Sequence, residues 1–223
     1  MRIIVTAGPT REYLDPVRFL SNPSTGKMGF AIAAEAARRG HEVTLIAGPV
    51  ALKTPDRVHR VDVTSARERL AAVGRTLRVR RGAAGVRALP TVFISTAAVA
   101  DWRPAKCAAK KLKKGEMSST LKLVRNPDIL KTINRTIEQS NKRTIRLVGF
   151  AAETNDVLKE AARKCREKGL SFIVANDVTK RGCGFGTDTN RVTFVFPDGT
   201  QKKFPLMTKR MVAKRILDEV SRL

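Results

Sequence analysis

The sequence contains few of the residues that most hydrolytic and metal-dependent enzymes use. Its 223 residues include only two histidines, His41 and His59. Each lies beside a strand-like run, where a surface or edge histidine is the ordinary reading. The three cysteines, Cys107, Cys165 and Cys183, are scattered and form no C-x-x-C pair. We therefore expect neither a structural zinc site, nor a disulfide framework, nor a histidine-dependent catalytic triad.

Long apolar runs are also lacking. No run approaches the roughly 18 residues that cross a membrane. The opening MRIIVTAG passes directly into a strand-like segment, without the pattern of a secretory signal. We expect a cytoplasmic protein with no membrane partner. Its length fits a single α/β domain spanning residues 1–223.

Acidic residues are scarce. The sequence has 20 Asp and Glu but 44 Lys and Arg, which gives a formal net charge of +24. Such an excess favours contact with polyanions and leaves a basic nucleic-acid-binding protein open as an alternative. Part of the excess lies in an Arg-rich segment at about 74–90, and part in a Lys-rich segment at about 103–116. Aromatic residues are absent from 74–90, so a dedicated nucleic-acid interface is disfavoured.

Strand-like and helical runs alternate along most of the chain. The predicted strands are RIIVTAG, EVTLIAG, VHRVDV, TVFIST, a short STLKLVR, IRLVGFAAET and LSFIVAND. Helices are predicted from Met28 to Gly40, over TSARERLAAVGRTL, from Asn126 to about Gln139 with Pro127 in its first position, and over NDVLKEAARKCREKG. RVTFVFPDGTQKKFPL reads as a hairpin before a final helix from Thr208. The alternation predicts a doubly wound, mostly parallel, Rossmann-like α/β sheet with an antiparallel edge hairpin.

Two segments fall outside this alternation. Residues 103–116 are too charged for a core and are predicted to form a mobile flap. Residues 74–90 are predicted to be a loop or a frayed helix end.

The segment RFLSNPSTGKMGF, residues 18–30, resembles an incomplete phosphate-binding loop. Met28 follows Lys27 where a Walker A loop has Ser or Thr, and Ser21 stands at the position of its first glycine. Triphosphate hydrolysis is therefore not implied. Backbone N–H groups of Ser24, Thr25 and Gly26 at a helix start would still suit an anionic group. Plain helix capping is the alternative.

Seven separated segments resemble, in order and spacing, bacterial phosphopantothenoylcysteine synthetase. That enzyme is the ligase half of the bifunctional coenzyme A biosynthesis flavoprotein, in the DNA/pantothenate metabolism flavoprotein C-terminal domain family. The segments are GPTREYLDPVRFLSNPSTGKMGFAIAAEAARRGHEVTLIAGPV, AAVADWRP, KKLKK, LVRNPDIL, VGFAAET, ANDV and GFGTDTNRV. Only about residues 66–90 look unlike the family.

The resemblance implies a CTP-dependent ligase that joins 4′-phosphopantothenate to L-cysteine through an acyl-cytidylate. It also implies Mg²⁺ carried with CTP and a homodimer, which the late hairpin supports by adding a strand edge that a second subunit could cover. The flavin-binding half is missing, so no FMN is expected. A separate flavin decarboxylase would then be a partner.

The resemblance also assigns residues, with no metal ligand among them. Asn22 and Lys111 match catalytic positions, Asn22 as a donor to the acyl intermediate and Lys111 at the head of the flap lysines. Ser24, Thr25, Gly26 and Lys27 would bind substrate phosphate. The nucleotide contacts would be Ala97, Asp101, Lys111, Pro127, Asp128, Ile129, Leu130, Phe150, Lys164 and Lys168. Lys164 and Lys168 are four residues apart on one helix face, which also fits a solvated basic surface.

A further alternative is an NAD(P)-binding Rossmann oxidoreductase. Such an enzyme would need glycines close behind the first strand and a Tyr-x-x-x-Lys pair. The only tyrosine, Tyr13, is followed four residues later by Val17, and the glycines at 26 and 29 come late. Within the ligase family, Pro23 and Thr25 depart from the usual loop residues, which could alter the rigidity of that loop.

Overall fold

A computed structural model describes residues 1–78, 89–116, 120–140, 144–153 and 155–223. Its helices are α1 (Lys27–Arg38), α2 (Ala66–Arg78), α3 (Ile129–Gln139), α4 (Val157–Glu167) and α5 (Lys209–Val220), with a short 3₁₀ helix at Lys114–Glu116. Its strands are β1 (Arg2–Ala7), β2 (Arg11–Tyr13), β3 (Phe19–Ser21), β4 (Glu42–Ala47), β5 (Val58–Asp62), β6 (Thr91–Ser95), β7 (Trp102–Pro104), β8 (Leu123–Arg125), β9 (Ile145–Glu153), β10 (Phe172–Asp177), β11 (Thr189–Asn190), β12 (Val192–Val195), β13 (Gln201–Lys203) and β14 (Met207–Thr208).

The main sheet has eight strands in the order β13-β12-β10-β9-β6-β1-β4-β5. The six strands from β10 to β5 are parallel, whereas β12 and β13 run antiparallel at one edge. The chain builds outward from β1 toward β5 and then returns to place β6 on the other side of β1. Ligands bind at such a reversal, outside the carboxyl ends of the strands. The predicted fold class is confirmed.

Helices cover both faces of the sheet. Alternate residues of β1 point to opposite faces, so Ile3 and Val5 join a core shared with α1 and α5. Ile4 joins a second core, which is built from α2, α3 and α4. Both cores are nearly free of solvent, since Ile3, Ile4 and Val5 are each 0% exposed. The sheet therefore forms a rigid base for the loops at its carboxyl edge.

Three small two-stranded sheets lie outside the main sheet. They pair β2 with β3, β7 with β8 and β11 with β14. The predicted flap at 103–116 therefore begins inside a strand, because Arg103 and Pro104 belong to β7, and the predicted short strand STLKLVR contributes Leu123–Arg125 as β8. Of the Arg-rich segment, residues 74–78 complete α2, and residues 79–88 lie outside the described residues. Residues 117–119 and 154 also lie outside them.

The start of α3 differs from the prediction. Asp128, rather than Asn126, is the N-cap, and its Oδ1 accepts a hydrogen bond of 3.0 Å from the Lys131 N–H. Asn126 is used elsewhere, since its Nδ2 donates to the Ala100 carbonyl at 2.8 Å. Pro127 consequently precedes the helix instead of occupying its first position.

Two other helix starts were close to the predictions. The final helix begins after Thr208, whose side chain caps it by accepting from the Met211 N–H. The start of α4 is less well capped, because Asp156 has left-handed backbone geometry and makes no capping side-chain hydrogen bond. Within the described part of the chain, no helix is long and apolar enough to span a bilayer.

Candidate active site

Two adjoining clefts lie at the carboxyl ends of the central strands. The wide cleft has a volume of about 510 Å³ and is formed by the segments that follow β6 and precede α3. The narrow cleft, of about 210 Å³, lies between the start of α1 and the segments that follow β10. Ala97, Val99 and Phe150 line both. A ligand in one cleft would therefore be in reach of a ligand in the other.

The wide cleft collects most of the residues assigned to the nucleotide. Its lining includes Ala97, Asp101, Pro127, Asp128, Ile129, Leu130, Phe150 and Lys168. These residues come from four separate segments, which the fold brings to one place.

A lysine–carboxylate pair marks one wall of the wide cleft. Lys168 Nζ lies 2.9 Å from Asp128 Oδ2. Burial raises the pKa of Asp128, but the Lys131 N–H bond and the Lys168 ammonium outweigh it and hold the pKa below its usual value. Asp128 is therefore ionised at neutral pH, and Lys168 presents a fixed positive charge at the cleft.

Asn22 lines neither cleft, but its side chain is bonded to the segment 97–99, whose two end residues line both. Its Nδ2 donates to the Ala98 carbonyl at 3.2 Å, and Ala98 lines the narrow cleft next to the shared Ala97. The preceding strand β3 is fixed by Ser21 Oγ, which donates to the Thr10 carbonyl at 2.7 Å. A neutral amide donor is thus bonded to the segment that separates the two clefts.

The predicted phosphate-binding segment forms one wall of the narrow cleft. Ser24, Gly26 and Lys27 line it, and Gly26 adopts a left-handed φ of 78° as the N-cap of α1. Gly29 permits α1 to approach the sheet, because a Cβ at this position would lie 2.5 Å from both the Ala7 Cβ and the Thr96 Oγ1. The helix start is thereby held against the ends of β1 and β6.

No individual residue of the opposite wall of the narrow cleft was assigned from the sequence. Asn176, Asn190 and Lys209 line it, and these side chains are 9%, 4% and 7% exposed. They come from β10, β11 and α5, so only the folded chain brings them to the phosphate-binding segment. The motifs ANDV and GFGTDTNRV pointed to this region, but nothing in the sequence pointed to Lys209.

A buried arginine supports the turn between β1 and β2, and it too was missed. Arg69 on α2 is 0% exposed, and its guanidinium donates to the carbonyls of Ala7 at 2.9 Å and Pro9 at 2.8 Å. Burial lowers the pKa of Arg69 to about 10, against the opposing influence of Glu12, and the group stays charged at neutral pH. The Glu12 carboxylate in turn accepts from the Ala66 N–H at the start of α2. Arg69 thus holds the turn after β1 in place beneath the site.

Four assigned residues line neither cleft, namely Asn22, Thr25, Lys111 and Lys164. Lys111 is exposed on the flap. Its neighbour Leu112 is anchored, because its N–H donates to Asp15 at 3.2 Å and its carbonyl accepts from Arg18 at 2.6 Å. Lys164 lies one turn before Lys168 on α4, outside the lining of the wide cleft.

Carboxylates are too sparse here to hold a metal ion unaided. Among the residues that the structure describes, no group of three or more His, Cys, Asp or Glu side chains could hold a metal. Asp101 is exposed at the wide cleft and could supply one carboxylate. This arrangement fits Mg²⁺ that arrives with nucleotide phosphates, since such ions use one or two carboxylates together with the phosphates.

The sequence was compared with known proteins. It matches the DNA/pantothenate metabolism flavoprotein C-terminal domain family over residues 1–223. It is 45% identical over 223 residues to the coenzyme A biosynthesis bifunctional protein CoaBC of Escherichia coli strain K12, covering 99% of this chain and 51% of that protein. It is also 43% identical over 222 residues to CoaBC of Bacillus subtilis strain 168, covering 99% of this chain and 51% of that protein. The chain thus spans about half the length of these relatives.

Solved structures agree with this relationship. The crystal structure of the C-terminal domain of CoaBC superimposes with a TM-score of 0.77 at 42% identity, covering 98% of this chain and 93% of that one. A Cab2 variant in complex with phosphopantothenate-cysteine shares the fold at 16% identity and a TM-score of 0.73, covering 99% and 86%. The chain belongs to the DNA/pantothenate metabolism flavoprotein C-terminal domain family.

Proposed function

We propose that this protein is a phosphopantothenate–cysteine ligase that uses CTP, acting through an acyl-cytidylate in coenzyme A biosynthesis. The observation that carries the proposal is that the two clefts adjoin, with Asn22 bonded to Ala98 between two residues that line both. A ligase of this kind must hold a nucleotide and a phosphorylated acid with the carboxylate of the acid facing the α-phosphate. Two clefts that share Ala97, Val99 and Phe150 suit that requirement.

In this proposal CTP occupies the wide cleft. Lys168 contributes positive charge for the polyphosphate, with Lys164 one turn away on the same helix. The backbone near Ala97 and the turn formed by Pro127, Asp128, Ile129 and Leu130 recognise the cytosine edge. A larger purine would leave polar groups of this turn unpaired, and such mismatches can discriminate by several kcal/mol.

The acid substrate occupies the narrow cleft, with its phosphate against Ser24, Thr25, Gly26 and Lys27. Backbone N–H groups at the start of α1 and the ammonium of Lys27 favour an anion there. The carboxylate of the substrate then extends toward the seam between the clefts, where it attacks the α-phosphate of CTP. The bond to pyrophosphate breaks, and an acyl-cytidylate forms.

Asn22 and Lys111 act on the reacting groups. The amine of cysteine attacks the acyl carbon, and negative charge develops on the acyl oxygen before CMP leaves. The Nδ2 of Asn22 donates to that oxygen and stabilises the tetrahedral species. Lys111 moves to the phosphates when the flap closes. The flap turns about Leu112, which Asp15 and Arg18 hold in place.

Mg²⁺ bound with CTP would neutralise phosphate charge and polarise the α-phosphate. Asp101 is the residue that would meet it at the cleft. The chain itself assembles no separate metal centre among its described residues, so we expect the metal requirement to follow the nucleotide.

The comparisons support the pathway. The full-length relatives are named as coenzyme A biosynthesis bifunctional proteins, and Cab2, which has this fold, was solved with phosphopantothenate-cysteine. We propose that this chain carries out the ligase step, in which FMN takes no part, that a flavin decarboxylase supplies the other step, and that both act in the cytoplasm.

We further propose a homodimer. Exposed apolar side chains lie on the two small sheets formed by β2 with β3 and β7 with β8, namely Phe19, Trp102 and Leu123. The late hairpin is a poorer contact surface, because its edge strand β13 carries Lys202 and Lys203 and edge lysines oppose strand pairing. Light scattering at micromolar concentration should give twice the chain mass of 24.5 kDa, and a particle of one chain mass would contradict the dimer.

The proposed activity is tested by one assay. Phosphopantothenate, cysteine and Mg²⁺ are incubated with each of the four ribonucleoside triphosphates, and pyrophosphate is measured. We expect release with CTP and little with ATP. Release of inorganic phosphate and CDP would contradict the acyl-nucleotide mechanism, whereas equal rates with ATP would contradict only the nucleotide preference.

A further inference from the structure

Residues 184–188, which we call the glycine loop, cover the predicted phosphate-binding segment. Three side chains of the narrow cleft donate to backbone carbonyls of this loop. Thr25 Oγ1 donates to Phe185 at 2.9 Å, and Lys27 Nζ to Gly186 at 3.0 Å. Lys209 Nζ donates to the carbonyls of Gly184, Phe185 and Thr187 at 3.4, 3.3 and 2.5 Å. The polar groups that would bind an anion are therefore occupied by the loop.

The same loop supplies a carboxylate. Asp188 Oδ1 lies 2.7 Å from Lys27 Nζ, and the backbone N–H of Lys209 donates to the Asp188 carbonyl at 2.9 Å. The three carbonyls around Lys209 are neutral and leave its charge uncompensated. Two ammonium groups thus share the single carboxylate of Asp188, and one positive charge remains in excess.

Lys209 and Asp188 differ in how firmly their side chains are held. Lys209 is 7% exposed, and its pKa is lowered by burial and by the nearby positive charge of Lys27. The side chain of Asp188 is 84% exposed, so its ion pair with Lys27 is screened by water and readily broken. Lys209 is fixed in the wall of the narrow cleft, whereas Asp188 can move away from Lys27.

We propose that Lys209 is a second anion-binding cation of this site, and that Asp188 is a built-in occupant that a phosphate group displaces. A phosphate monoester carries nearly two negative charges at neutral pH, which matches Lys27 and Lys209 once Asp188 has moved out. Gly182, with its left-handed φ of 81°, and Gly186 give the loop backbone the freedom to shift. The phosphate belongs either to the acid substrate or to the nucleotide, and only this choice rests on the proposed function.

The first test measures binding of inorganic phosphate and pyrophosphate by calorimetry. Asp188→Asn keeps the size of the side chain and an oxygen acceptor for Lys27 but removes the competing charge. We expect its affinity for phosphate to rise about two- to fivefold at low salt, since an exposed ion pair contributes little more than this. The gain should shrink at high salt. Asp198→Asn, in the exposed turn before β13, makes the same charge change away from the site and should bind as wild type does.

Lys209→Met removes the buried ammonium and keeps an unbranched side chain. We expect its phosphate affinity to fall about 10- to 100-fold, the range for loss of a charge-assisted hydrogen bond. Lys214→Met, at an exposed position of the same helix, is the matched control and should change nothing. Thermal unfolding of each variant separates a binding defect from a folding defect. If Lys209→Met fails to fold, the Asp188→Asn result alone decides.

The second test separates the source of the phosphate. In ligase assays, Asp188→Asn should lower the KM for phosphopantothenate or for CTP, but not for both equally. A change in KM that is confined to one substrate supports the proposed site and identifies the substrate whose phosphate binds there. If ligation is normal while phosphate affinity and both KM values equal those of wild type in Asp188→Asn, the inference is wrong and the proposed function stands. If no ligation occurs but phosphate binding changes as expected, the proposed function is wrong and the site stands.

Discussion

Each of the two clefts is lined by a lysine that pairs with an aspartate, yet the two pairs differ in how they are held. In the wide cleft, Asp128 faces Lys168 and is also the N-cap of α3, so a helix keeps it in place. At the narrow cleft, Lys27 pairs with Asp188 from a loop outside the cleft lining, and the Asp188 side chain is 84% exposed, against 42% for Asp128. The same chemical pair therefore belongs to a fixed wall in one cleft and to a movable cover in the other.

This difference has a functional consequence. The wide cleft, at about 510 Å³, is lined by the residues that we propose for the nucleotide. In the narrow cleft, at about 210 Å³, Lys27 and Lys209 are already bonded to the chain itself. Under our proposals, a ligand enters the wide cleft directly, whereas in the narrow cleft it must first replace an internal partner.

The largest effect is expected where the clefts meet. Asn22→Asp keeps the size of the side chain but replaces the donor near the Ala98 carbonyl with an anion. We expect a folded protein with a loss of about 10²- to 10³-fold in kcat for ligation, the usual cost of losing one such donor. Pyrophosphate release and circular dichroism are the measurements. Gln201→Glu, the same amide-to-acid change on the exposed strand β13, should retain full activity, and equal activity in Asn22→Asp would remove Asn22 from the mechanism.

A second substitution tests the charge of the wide cleft. Lys168→Met should raise the KM for CTP about 10- to 100-fold, because it removes a charge-assisted contact to phosphate. The KM for cysteine should stay near its wild-type value. Lys159→Met, at an exposed position of α4, is the control. An unchanged KM for CTP in Lys168→Met would show that Lys168 serves only its ion pair with Asp128.

The next prediction concerns the packing beneath the narrow cleft. Gly29→Ala places a methyl group 2.5 Å from Ala7 Cβ and Thr96 Oγ1, so α1 must move away from the sheet. We expect a loss of about 1–3 kcal/mol in the free energy of unfolding, the range for overpacked sites. Gly74→Ala, on α2, meets no described atom within 4 Å and should stabilise by about 0.5–1 kcal/mol. Urea unfolding measures both, and a neutral Gly29→Ala would refute the close packing of α1.

The smallest effect concerns the Asp128 pair and its dependence on pH. The pKa of Asp128 is below its usual value in the folded protein, so its charge stabilises the fold above about pH 4. That contribution is lost as the pH falls through the folded pKa. Asp128→Asn keeps a good N-cap and should cost about 0.5 kcal/mol at pH 7. Urea unfolding should show this difference shrinking below about pH 4, and a difference that is constant with pH would exclude the ion pair as its cause.

The wide cleft was largely predictable because its residues follow strands. Ala97 and Asp101 come just after β6, and Phe150 lies within β9, so the parallel order of the sheet brings them to one edge. The apolar runs and their periodicity likewise predicted the sheet and its antiparallel hairpin. The cap of α3 was misassigned because Asn126 and Asp128 are both good capping residues in sequence, and only the contact with Ala100 separates them.

The narrow cleft was predictable on one side only. The start of α1 could be inferred from the glycines and Lys27, because they are close in sequence. The Gly186 carbonyl and the Asp188 carboxylate that bind Lys27 lie 159 and 161 positions later. Lys209 appeared to be an ordinary basic residue of an amphipathic helix. Arg69 was hidden for the same reason, since its partners at Ala7 and Pro9 are brought to it only by the folded sheet.

The central claim is that the two clefts place an acid and CTP for direct reaction before cysteine takes part. It is tested most directly by mixing the protein with phosphopantothenate and Mg²⁺-CTP without cysteine, and following pyrophosphate on the scale of a single turnover. The account predicts a rapid burst of about one pyrophosphate per active site, with further release only after cysteine is added. Absence of a burst in a preparation that ligates normally with cysteine would contradict the claim.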